Sequence, residues 1–121
     1  MKTKFPKVAA YLAWIIGAMA VFAGGRVLLG TLPDYYVIEW LPIYNFVMGV
    51  ITVGVTAVLI WKNSHYAWAA SIATFAVHTL VLLVLLAVYQ DVVAPDSLVA
   101  MVVRIVVWLI ILAFQRTANS K

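Results

Sequence analysis

The chain has 121 residues, of which 67% are hydrophobic and 10% charged, with a net charge of +4. A soluble domain is about half apolar and about a quarter charged, so this composition leaves too little polar surface for water and assigns much of the exterior to lipid. The basic residues flank apolar stretches, which indicates membrane topology and excludes a nucleic-acid partner. The absence of cysteine excludes disulfides, thiolate catalysis and cysteine-ligated metal.

A first spanning helix is predicted over residues 8–30. Lys2, Lys4 and Lys7 precede an apolar run, and Ala18-Met19-Ala20 resembles a leader-cleavage site. The run continues through Val21, Phe22 and Ala23, so the segment reads as a retained membrane helix. Ala13, Gly17, Ala20 and Gly24 share one helical face, a small-residue seam that lets a second backbone approach. Arg26 falls in the last turns. The following loop carries a Pro33-Asp34 turn, and Tyr35, Tyr36, Trp40 and Tyr44 suit the headgroup level.

A second helix is predicted over residues 41–61, uncharged throughout. Pro42 fits its first turn, where a missing N–H is harmless. Asn45, Gly49, Thr52 and Thr56 share a face directed at the bundle. The short Lys62–His65 loop makes the second and third helices adjacent. The third helix, predicted over 66–90, is the longest neutral stretch and carries Ser71, Thr74 and His78 on one face. The fourth is predicted over 98–114, with Asp96 or Ser97 as its cap. It carries Arg104 roughly 10 Å from Ser97 at ~1.5 Å per residue. Met101, Arg104, Trp108, Ile111 and Gln115 lie on one face.

The expected fold is an all-α integral membrane protein, a four-transmembrane-helix antiparallel bundle forming a single domain over residues 1–121. Lys2, Lys4, Lys7, Lys62, Arg116 and Lys121 sort to one side, and Asp34, Glu39, Asp91 and Asp96 to the other. The positive-inside rule places both termini in the cytoplasm and the chain in the plasma (inner) membrane.

An ionisable residue at membrane depth is costly and marks function or a partner. Arg104 is the first candidate. Its bland alternatives are an ion pair with Asp91, Asp96 or Glu39, or snorkelling to the headgroups. Its functional reading is a guanidinium holding an anionic or carbonyl-bearing ligand, with Trp108 as a floor and Arg26, Glu39, Asn45 and Trp40 nearby. His78 is the second candidate. It reads as a core contact to Thr52, Thr56 or Thr74, or alternatively as a haem ligand or quinone contact with Ser71 at its side. His65 stands at the far end of the same helix, so it is no intramolecular haem partner.

No carboxylate or lysine lies inside a span, and neither a phosphate-binding loop nor an HExxH motif is present. These absences argue against a glutamate-coupled exporter, a retinal Schiff base and a zinc hydrolase, and no catalytic set or metal site is expected. Three functions stay open. One is binding or transport of a small amphiphilic or anionic ligand through the outer half of the bundle. The second is a haem- or quinone-binding redox subunit using His78. The third is an accessory subunit without its own ligand. A homo-oligomer or larger membrane complex is expected as the setting, with the lipid bilayer as the constant partner.

Overall fold

A computed structural model describes residues 4–30 and 38–119. Four helices account for them: α1 (Lys4–Leu28), α2 (Leu41–Trp61), α3 (Ala67–Ala87) and α4 (Pro95–Asn119). No strand occurs among the described residues. Each helix contains a segment long and apolar enough to cross a membrane. Their outward faces carry Ile15, Phe22, Leu80, Val99 and Leu109, all more than half exposed. A surface of this kind is stable only against lipid, so the chain is a multi-pass membrane protein. Lys2, Pro33, Asp34, Tyr35, Tyr36 and Lys121 lie outside the described residues.

The helix ends differ from the sequence expectation for local reasons. α1 stops at Leu28 because Gly30 adopts φ +102° and its N–H turns back to the Val27 carbonyl at 3.0 Å. Only glycine takes that conformation without strain. α2 closes with a left-handed Asn63 at φ 53°. Ser64 N–H reaches Leu59 O and Asn63 N–H reaches Ile60 O, each at 3.0 Å. That pair of bonds is a Schellman end, which satisfies carbonyls the helix would otherwise leave open. α3 starts at Ala67 and ends at Ala87, short of Gln90. There the Tyr89 carbonyl accepts from both Val92 and Val93 N–H, which turns the chain. α4 starts three residues earlier than expected. Pro95 is its first residue, and the Ala94 carbonyl accepts from Ser97 and Leu98 N–H, so neither Asp96 nor Ser97 stands in a capping position. The fixed φ of proline suits the first turn.

The α1–α2 seam is a backbone contact. A Cβ added at Gly24 would stand 2.5 Å from Pro42 O, and one at Gly49 would stand 2.7 Å from Gly17 O and from Val21 N. The expected small face is thus met, with Gly49 supplying the complementary gap on α2.

α2 also contains a π-helical turn, Thr52–Thr56. Ala57 N–H bonds Thr52 O, one residue further back than in an α-helix. Such a turn disturbs the regular bonding ladder. The Val53 carbonyl there accepts the Trp14 indole N–H at 2.9 Å, so α1 supplies a bond that stabilises the turn. The inserted residue keeps Thr52 and Thr56 buried while Gly54 and Val55 face outward.

The interior is layered. One apolar cluster centres on Ala9, Ala13, Ile60, Trp108 and Ile111. Another joins Ile38, Leu41, Leu85 and Met101. A polar layer joins the two, built from Thr52, His78 and Arg104. At one end Lys7 Nζ sits 3.9 Å over Trp61, within a cluster that includes Tyr11 and Trp14. At the other end Trp40, Tyr44 and Tyr89 stack edge to face.

Candidate ligand site

The polar layer begins on α4. Met101, Arg104 and Trp108 recur at helical spacing and all turn inward, with Arg104 only 6% exposed. Arg104 Nη1 donates to Asn45 Oδ1 at 2.5 Å and contacts Met101 Sδ at 3.5 Å. Nε and Nη2 form no hydrogen bond among the described residues, and no carboxylate pairs with the guanidinium. Neither bland alternative holds: Glu39, Asp91 and Asp96 are exposed and form no salt bridge among the described residues, and burial excludes snorkelling.

Magnitudes show why the arrangement is stable without an acid. An arginine at mid-span costs about 2.5–3.5 kcal/mol on insertion scales. A hydrogen bond to a charged group returns about 1.5–3 kcal/mol. The Asn45 bond therefore offsets most of the cost and leaves the positive charge uncompensated.

α2 contributes Asn45 together with Tyr44. The Tyr44 hydroxyl and His78 Nδ1 are 2.5 Å apart, with the rings crossing at 87°. The expected His78 hydrogen bond to Thr52, Thr56 or Thr74 does not form among the described residues: Tyr44 engages Nδ1, and Thr56 and Thr74 bond elsewhere. The two threonines Thr56 and Thr74 pair with each other at 3.4 Å, and Thr74 also bonds Ala70 O at 2.8 Å. Ser71 is fully buried, and its hydroxyl has no partner among the described residues.

His78 and Arg104 were separate candidates in the sequence. In the fold they line one cavity of about 10 Å³, together with Thr52, Trp108 and the bare backbone at Gly17 and Gly49. The Trp108 side chain is fully buried, and its indole N–H bonds nothing among the described residues. Both glycines stand where α1 meets α2 in close contact, and they form part of the cavity wall.

Three expected members stand elsewhere. Arg26 is exposed, with its guanidinium 5.3 Å from the Phe22 ring, because its position on α1 turns away from α2. Glu39 is exposed and contacts neither arginine. Trp40 is half-buried, and its indole N–H donates to the Tyr89 hydroxyl at 3.1 Å. It reaches the site only through ring contact with Tyr44. Tyr44 is the residue the sequence reading missed, having been placed among the headgroup aromatics. The available signal was its spacing, four residues before Met48 and eight before Thr52, which sets it on the inward face.

The open space beside His78 and Arg104 is the size of one water. His65 is exposed against Tyr66, so the fold brings no second histidine to His78. No group of three His, Cys, Asp or Glu gathers among the described residues to hold a metal. Comparison with protein-family models, with curated proteins and with solved structures gives no match.

Proposed function

We propose that this chain binds, and passes or presents, a small anionic or carbonyl-bearing ligand at Arg104. The carrying observation is a buried guanidinium with one amide acceptor and no carboxylate among the described residues. A low-dielectric interior makes such a charge an attractor for negative charge or a carbonyl dipole. Asn45 orients it, Tyr44 holds His78, and Trp108 and Thr52 complete the wall.

In this reading the helices alternate in direction across the plasma membrane with both termini cytoplasmic. Two features support it. Gly24 meets Pro42 while Tyr11 meets Trp61, so residues early in α1 lie beside residues late in α2. The cations Lys7, Lys62 and Arg116 fall at one set of ends, and Glu39, Asp91 and Asp96 at the other. The ligand site then lies in the outer half of the bundle. The second reading is a redox role through quinone binding, where Arg104 and His78 would hold a carbonyl oxygen.

The test is thermal unfolding of detergent-purified protein with chloride, acetate or a short-chain benzoquinone as probes. At least one probe should raise the melting temperature in a saturable way, and Arg104→Gln should abolish the rise. A melting temperature insensitive to every probe, or a rise that persists in Arg104→Gln, refutes the proposal.

A further inference from the structure

We infer that the ligand held by the Arg104 cavity is a dehydrated anion of halide size, with the Trp108 indole N–H as a specificity-determining donor. This rests on the assignment of Arg104 as a ligand site and goes on to name the ligand's class.

Three observations converge on it. The first is the character of the wall. Its polar members are Arg104, Trp108, His78 and Thr52. Arginine and tryptophan side chains only donate, and no carboxylate lines the space. When the Tyr44 hydroxyl donates to Nδ1, His78 Nε2 carries the remaining proton and becomes a third donor. Thr52 adds a hydroxyl that rotates to suit. A water among these donors accepts from them but finds no side-chain acceptor other than Thr52 for its own protons. A spherical anion accepts from all of them.

The second observation is an unsatisfied donor. Trp108 is 0% exposed, and its Nε1 has no hydrogen-bond partner among the described residues. A buried indole N–H almost always finds an acceptor, and leaving one open costs about 1–3 kcal/mol. It stands on the same helical face as Arg104, one turn away, and the two residues line one cavity.

The third is size. A cavity of about 10 Å³ is at the threshold for one water-sized occupant. Nitrate, thiocyanate, a carboxylate or a quinone would require α1 and α2 to separate at Gly17 and Gly49. Those two helices are in backbone contact there, and a single added Cβ at Gly49 already collides at 2.7 Å. The fold therefore limits the occupant to one atom.

The selectivity that follows opposes the usual trend. A loose cationic site prefers weakly hydrated anions, thiocyanate first, then nitrate, then chloride. A site limited to one atom reverses that order. The experiment is thermal unfolding of the wild-type protein in detergent at constant ionic strength, with sodium gluconate replaced stepwise by chloride, nitrate or thiocyanate. Chloride should raise the melting temperature saturably, nitrate less, and thiocyanate not at all. Trp108→Phe keeps an aromatic ring and removes the donor, and should raise the half-saturating chloride concentration about tenfold, the equivalent of one charge-assisted hydrogen bond.

A flat anion response, an order with thiocyanate first, or an unchanged chloride response in Trp108→Phe overturns the inference. If Trp108→Phe does not fold, the anion order in the wild type decides alone. A rise with the short-chain benzoquinone that needs Arg104, without any chloride effect, leaves Arg104 as a ligand site and removes the halide. No response to either probe removes both.

Discussion

Gly49→Ala puts the α1–α2 seam to its most direct test. The new methyl would stand 2.7 Å from Gly17 O, Val21 Cγ2 and Val21 N, where ordinary contact begins near 3.4 Å. The shortfall of about 0.7 Å is against backbone on two sides, which has no rotamer to change. α1 must therefore move away along its length, and overpacking of this kind costs about 1–3 kcal/mol. Alanine recovers up to about 1 kcal/mol of helix propensity, so the net change is destabilising by up to about 2 kcal/mol. The displacement also opens the Arg104 cavity, because Gly49 and Gly17 form part of its wall. Gly54→Ala is the internal control: it lies five residues along the same helix, and nothing stands within 4 Å of its added Cβ. Thermal unfolding of both variants in one detergent should lower the melting temperature for Gly49→Ala and leave Gly54→Ala at or above the wild type. An equal or higher melting temperature for Gly49→Ala would refute the backbone-contact argument.

Asn45→Asp places a carboxylate on the Arg104 guanidinium at hydrogen-bond distance. The internal ion pair should raise stability by about 1–3 kcal/mol and abolish any response to added anion, measured by the same unfolding titration. A variant that keeps an undiminished anion response would show that the site is not at Arg104. Trp14→Phe removes the donor to Val53 O. It should cost about 1–2 kcal/mol and speed amide exchange selectively over Thr52–Thr56, read by hydrogen-exchange mass spectrometry. Unchanged exchange there would mean that the π turn stands without α1.

Much of the architecture follows from local properties that a sequence carries openly. Four spans were legible because length and hydropathy belong to each segment by itself. The glycine and alanine seam on α1 was legible because its spacing is set by helical geometry alone. Arg104 stood out because a charge inside a neutral run is expensive wherever the helix points. The helix ends moved by a few residues, at Gly30, Asn63 and Pro95, where backbone conformation rather than hydropathy sets the stop.

What the sequence did not carry was which polar groups meet. Arg26 and Arg104 both lie toward the same ends of their helices, yet rotation about the helix axis sends one outward and one inward. Tyr44 looked like a headgroup aromatic, yet α2 and α3 bring it onto His78. The π turn has no motif of its own; its Val53 carbonyl accepts a bond from Trp14, which stands 39 residues earlier in the chain. His78 and Arg104, 26 positions apart, line one cavity only in the packed bundle, where Gly17 and Gly49 on two other helices let the backbones touch beside it. Depth in the membrane is a property of one segment, and the sequence determined it. Facing is a relation among four segments, and only their packing decided it.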